Sequence, residues 1–188
     1  NLEFYVGYDP AVSEEDSADD TAIQVWGVDP HDRLYLVESW AGKVGMDVWV
    51  PKVIEAARHW NCNEVVSESG VIRRSSEPYL RKAMSKARKW FVLHFMTRHA
   101  NKPAMARGAQ AMVSSGQVFI PDNSDGEEFI DECLRFPTSK IDNRVDAFVN
   151  LTLRLDVLWS QTVREPEEEK SVILDGSQGI SIKSLMPP

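Results

Sequence analysis

Leu2-Glu3-Phe4-Tyr5-Val6-Gly7-Tyr8-Asp9-Pro10 is a run of aromatic and β-branched residues that stops at an acid and a proline. Leu2 to Tyr8 therefore reads as a β-strand with Asp9 directly behind it. Two further strands follow. Thr21 to Val28 alternates Ile23 and Val25 with Gln24 and Trp26, and Arg33 to Trp40 alternates again. Asp29-Pro30-His31-Asp32 is turn chemistry, so these two should form an antiparallel hairpin. Pro10 to Asp20, with Glu14, Glu15, Asp16, Asp19 and Asp20, is too polar for a core and reads as an exposed acidic loop.

Downstream the pattern changes period. Val50, Val53, Ile54, Ala57 and Trp60 recur at helical spacing over Met46 to Trp60. A fourth short strand, Glu64 to Ser67, precedes a loop centred on Gly70. A basic helix from Glu77 to Lys89 leads into Trp90 to Met96, whose unbroken apolar run predicts a strand buried on both faces. Residues 101–114 read as helical, Gln117 to Ile120 as a short strand and Gly126 to Leu134 as a short helix. A long helix from Asp142 to Trp159 carries Val145, Phe148, Thr152, Leu155 and Trp159 on one stripe. Residues 1–160 then form one α/β domain in the order βββαβαβ, and 161–188, acidic at Glu165 to Lys170, have the composition of a tail.

The 188 residues are 43% hydrophobic and 27% charged, which suits a globular domain and excludes a disordered or fibrous chain. No apolar run is long enough to span a bilayer and the first residues lack a signal-peptide layout. Cys62 and Cys133 stand far apart without zinc-ligand spacing, so ordinary reduced thiols are expected. The four histidines share no metal-ligand spacing, and the six tryptophans read as packing residues. Neither a P-loop nor a dinucleotide fingerprint occurs. The net charge of −8 conceals segregation: residues 71–110 hold ten Lys and Arg against Glu77 alone, a window of +9 within a remainder of −17. Such a stretch forms a phosphate-binding face if the fold gathers it, and a solvated helix face otherwise.

Acids stand where elements converge. Asp9 follows the first strand, Glu68 follows the fourth, and Asp142 and Asp146 lie one turn apart at the start of the last helix. If the first and fourth strands are neighbours, Asp9 and Glu68 sit side by side and the helix lays Asp142 or Asp146 beside them. Taken singly, each has an ordinary role as turn residue, loop acid or helix cap. Together they repel unless a cation joins them. Oxygen-only ligands suit Mg²⁺ or Mn²⁺. Two such ions about 3.5–4 Å apart support phosphodiester hydrolysis.

These segments resemble the ribonuclease H-like fold, and more narrowly the C-terminal nuclease domain of the large terminase subunit of tailed phages. The resemblance rests on Tyr5 to Pro10 with Asp19 to Ile23, on Val65 to Gly70, on Val113 to Pro121 and on Arg135 to Phe148, and spans roughly residues 2–158. It implies a mixed sheet of five strands or slightly more, the first three antiparallel, with helices on both faces. It also implies a metal-dependent endonuclease with two Mg²⁺ or Mn²⁺ ions, held by Asp9, Glu68 and the Asp142/Asp146 pair, with Asp20 in an outer role. Where many relatives read His-Asp-Asp-x-x-Asp-Ala, this chain reads Ile141 to Ala147, without the histidine and the second aspartate. Lys140 is a candidate to neutralise a phosphate. Arg73, Arg74, Lys102 and Arg107 are candidates for backbone contacts to double-stranded DNA. By the same resemblance the chain is an excised piece whose partners are an N-terminal ATPase domain, a portal protein and a small terminase subunit, acting in the host cytoplasm on concatemeric viral DNA. A Holliday-junction resolvase or transposase of the same fold, or a non-catalytic docking module, are the rival readings. An actin-like domain lacks its glycine-rich loops here.

Overall fold

The computed structural model describes residues 1–11, 20–97 and 101–161. Most of the expected acidic loop and nearly all of the expected tail lie outside the described residues. β1 (Glu3–Asp9), β2 (Thr21–Val28) and β3 (Leu34–Gly42) form an antiparallel meander. Its second turn is held by Asp29, whose Oδ1 accepts from the His31 and Arg33 amides at 2.9 and 3.0 Å. β4 (Glu64–Glu68) adds parallel to β1, β5 (Val92–Met96) adds parallel to β4, and β6 (Val118–Phe119) pairs parallel with β3. The result is a mixed six-stranded sheet of order β5-β4-β1-β2-β3-β6.

Among the described residues six helices cover both faces: α1 (Met46–His59), α2 (Val71–Ala87), α3 (Lys102–Met105), α4 (Arg107–Ser114), α5 (Ser124–Arg135) and α6 (Asn143–Gln161). The two-residue period of a strand sends alternate side chains to opposite faces. Val6, Tyr8, Ile23, Val25 and Val65 therefore pack on α1 and α2, where Tyr8 stacks on Trp49 with ring centroids 5.5 Å apart. Trp26, Val28 and Val66 pack on the other face against α5 and α6, with Trp26 centred 4.6 Å from Phe148 and 5.5 Å from Phe129. No helix among the described residues is long and apolar enough to cross a membrane.

Three local expectations change. The basic helix begins at Val71 rather than Glu77, and Ser76, Leu80 and Met84 bury one stripe that carries it straight past Pro78. β5 is an edge strand rather than one buried on both faces: Val92 is 56% exposed and its other residues are only partly buried, Leu93 against one core and Met96 against the other. Trp90, just before it, is a surface residue. The helical stretch 101–114 is two helices, α3 and α4, broken at Ala106.

α6 crosses β1 at Gly7. A Cβ at that position would lie 2.7 Å from the Ala147 carbonyl oxygen and 3.5 Å from the Leu151 Cβ, so the missing side chain is what lets the helix backbone rest on the strand. Gly7→Ala sets a small gain from a stiffer unfolded chain, about 0.4–1 kcal/mol, against overpacking of about 1–3 kcal/mol. The clash is with backbone, so overpacking wins. Urea denaturation should show the variant less stable than the wild type by about 1–2 kcal/mol, and Gly7→Val further destabilised.

Candidate functional site: a carboxylate bay at the ends of β1, β4 and α6

Position along the sheet follows from register. Tyr5, Val6 and Gly7 pair with Glu64, Val65 and Val66, and the same offset sets Asp9 level with Glu68. Both acids are the last residues of their strands rather than the first residues beyond them. Asp9, Gly7 and Tyr5 share the face on which α6 lies.

α6 runs antiparallel to β1 and β4, and two contacts set its depth. Near its C-terminal end the Arg154 guanidinium donates to Glu64 through Nε at 2.9 Å and Nη2 at 3.2 Å, and in its first half Ala147 meets Gly7. From Arg154 back to Asp146 the helix climbs about 12 Å. From Glu64 to Glu68 the strand climbs about 13 Å. Asp146 therefore reaches the level of Glu68 and Asp9, and Asp142, a further turn back, stands just before the helix and accepts the Asp146 amide on its carbonyl at 2.8 Å.

The start of α6 is tied down by a residue that sequence inspection passed over. Glu132 on α5 accepts the Arg144 amide on Oε2 at 2.8 Å and Arg144 Nη1 on Oε1 at 2.7 Å, while Nη2 of the same guanidinium meets Glu128. An unsatisfied first-turn amide and a buried carboxylate thus compensate each other. Nothing in the spacing of Glu132 marks it, since its partner is twelve residues away on another helix.

Asp9, Asp142 and Asp146 are only 9%, 6% and 7% exposed. Carboxylates so far from water require a cation or hydrogen-bond donors. Among the described residues Asp142 and Asp146 share the ammonium of Lys102, the first residue of α3. Its Nζ lies 2.8 Å from both Asp142 oxygens and 2.7 Å from Asp146 Oδ2. Partial burial works against the ammonium charge, but the hydrogen bonds and charges of the two aspartates outweigh it and hold the lysine pKa above its ordinary 10.5. Asn101 caps the short helix by accepting the Ala104 amide at 3.0 Å, which steadies the backbone that presents Lys102.

The other predicted residues are dispersed around this bay. Asp20 precedes β2 at the sheet edge where β1 ends, two residues from Ala22, the partner of Asp9. Lys140 is exposed in the loop before Asp142, and Arg107 is exposed at the start of α4. Arg73 and Arg74 line a separate open bay of about 760 Å³ beyond the ends of β4 and β5, with Ser69, Arg81, Phe95 and Thr97. There Arg73 and Arg81 clasp Glu77 at 3.1 and 2.6 Å, and Arg73 lies over the Phe95 ring at 4.9 Å. Sequence inspection did not single out Arg81. His94 lies 3.1 Å from Glu64 beside Arg154, and burial holds its pKa below the ordinary 6.5.

Among the described residues no three His, Cys, Asp or Glu side chains are gathered tightly enough to hold a metal ion. The chemistry of the donor set nevertheless fits a hard divalent cation. Asp9, Glu68, Asp142 and Asp146 offer oxygen alone, and the space between Asp142 and Asp146 already accepts a cation in the form of the Lys102 ammonium. If Glu132 sets the start of α6, Glu132→Ala should lower the unfolding free energy by about 1–3 kcal/mol, because the Arg144 amide and Nη1 lose their acceptor while Glu128 still holds Nη2. Hydrogen exchange should quicken at the Arg144 amide and its neighbours, leaving the helix beyond the Gly7 contact, around Arg154, protected.

The sequence profile of the terminase RNaseH-like domain family matches residues 6–155. Comparison with curated protein sequences finds no significant match. Among solved structures, the large terminase nuclease of thermophilic phage G20c with bound zinc superposes with a TM-score of 0.58 at 13% identity, covering 81% of each chain. The Thermus thermophilus RuvC in complex with a Holliday junction gives 0.54 at 12% identity, covering 85% of this chain and 97% of that one. The HK97 bacteriophage large terminase gives 0.53 at 12% identity, covering 84% of this chain and 40% of the other. These likenesses show a shared ribonuclease H-like fold, and the profile match over most of the chain shows its branch: the protein belongs to the terminase RNaseH-like domain family.

Proposed function

We propose that this chain is a metal-dependent endonuclease that cuts concatemeric viral double-stranded DNA during genome packaging. One observation carries the reading: two buried aspartates already clasp a cation at the end of the sheet to which register brings Asp9 and Glu68. Asp9, Glu68, Asp142 and Asp146 are the residues that would hold two Mg²⁺ or Mn²⁺ ions. Such ions, when bound, supply Lewis acidity toward the scissile phosphate and its leaving oxygen.

The remaining work falls to the chain. β1 and β4 end level, so Asp9 and Glu68 present their carboxylates from a rigid sheet rather than from loops. Glu132 and the Gly7 contact fix α6, and through it Asp142 and Asp146, to the same end. Arg73 and Arg74, in the open bay beyond β4, bind the phosphate backbone without reading sequence, and exposed Lys140 and Arg107 extend the contact. Asp20, at the edge where β1 ends, orients groups around Asp9. Residues 1–160 are the nuclease unit and 161–188 a tail. In the packaging machine the unit works with an ATPase domain on its N-terminal side, a portal protein and a small terminase subunit, in the host cytoplasm. The likeness to solved terminase nucleases, among them the G20c nuclease with bound magnesium, supports the cation assignment.

Supercoiled plasmid incubated with Mn²⁺ should be nicked and linearised, and EDTA should abolish this. Asp9→Asn and Glu68→Gln should each reduce the rate more than about 100-fold, beyond the 10–100-fold typical of outer-shell partners. Full metal-dependent cleavage by Asp9→Asn would sink the reading, and preferential cutting of four-way junctions over linear duplex would move it to a resolvase. DNA affinity should fall steeply with salt, and Arg74→Ala should reduce the slope of log K against log salt by about one.

A further inference from the structure

We propose that Lys102 is a built-in competitor for the divalent cation: its ammonium closes the Asp142–Asp146 pair in the metal-free protein and must swing out before a metal can bind there. The inference rests on the nuclease reading and adds to it a reversible seal on the site.

The geometry leaves no room for both cations. Lys102 Nζ meets three carboxylate oxygens at 2.7–2.8 Å, both of Asp142 and Oδ2 of Asp146. An ammonium has three donors, so these contacts saturate it. A hard divalent ion seeks the same oxygens at shorter range. The seal answers a real need, because the Asp142 and Asp146 side chains are only 8% and 9% exposed and would repel each other without a cation. It is also removable. The Lys102 side chain is 38% exposed, so a path to water is open along its flexible stem. Its backbone belongs to a four-residue helix rather than to the sheet or to α6. Metal loading is therefore an exchange of one cation for another, and the measured metal affinity is the intrinsic one reduced by the fraction of molecules in which Lys102 has left.

The test is calorimetric titration of the whole chain with Mn²⁺ at low salt, comparing wild type with Lys102→Met, Lys102→Gln and Lys102→Arg, each first checked for folding by circular dichroism. With the competitor gone, Lys102→Met and Lys102→Gln should bind Mn²⁺ about tenfold more tightly than wild type, whereas Lys102→Arg, which keeps the charge, should stay near the wild-type value. Without metal, Lys102→Met should melt below wild type, and saturating Mn²⁺ should close the gap. Equal or weaker Mn²⁺ binding by both neutral variants would overturn the proposal while leaving the nuclease reading intact, provided wild-type binding is lost in Asp9→Asn. Absence of Mn²⁺ binding in every protein would overturn both.

Discussion

The seating of α6 directly on β1 at Gly7 is the constraint on which the rest of the site depends. A helix normally stands off a sheet by the thickness of two side-chain layers. Here one layer is missing at one point, so the Ala147 carbonyl approaches the strand to a distance that a methyl group would forbid. This contact, with the Arg154–Glu64 pair further along, determines how far the helix reaches past the strands. A shift of one residue along α6 would carry the aspartates about 1.5 Å along the helix axis and turn them about 100° away. The packing of an apolar core and the placement of polar chemistry are therefore one event.

Charge is organised on the same principle of local compensation. The domain buries several carboxylates, yet does not leave them uncompensated. Asp142 and Asp146 share Lys102, Glu132 takes Arg144, and Glu64 takes Arg154. Each pair joins residues far apart in sequence, so each is also a cross-link between elements. The terminal turn of α6 is held by two of them, one on Arg144 and one on Asp142 and Asp146. The basic bay on α2 is different in kind. Its arginines cluster around Glu77 on the surface, where water screens them and where a polyanion can compete for them.

Much of this was readable from local pattern. The three antiparallel strands, the helical returns and the final amphipathic helix follow from periods of two and 3.6 residues, which depend only on near neighbours. Asp9, Glu68, Asp142 and Asp146 stood out because they sit at the ends of such elements. Three features were illegible for specific reasons. β5 looks fully buried because an apolar run does not say whether a strand lies inside a sheet or at its edge. α2 reads from sequence as starting at Glu77 after a loop centred on Gly70, whereas the helix begins directly behind that glycine at Val71 and runs through Pro78. Glu132 carries no mark at all, and Lys102 is marked only as a contact for a DNA phosphate and not as a partner of aspartates, since the partner that gives each its role is 12 or 40 residues distant.

The amino-acid sequence by itself determined the fold class, the family and the supply of carboxylates at element ends, because periodicity, turn chemistry and motif order are properties of neighbouring residues. Tertiary structure alone decided which charges meet. Whether a lysine in a basic stretch faces solvent, a phosphate or a pair of aspartates depends on the depth at which α6 settles on Gly7 and on where α3 brings its first residue. That depth is set by the packing of backbone and side chains across the sheet, and no short stretch of the chain contains it.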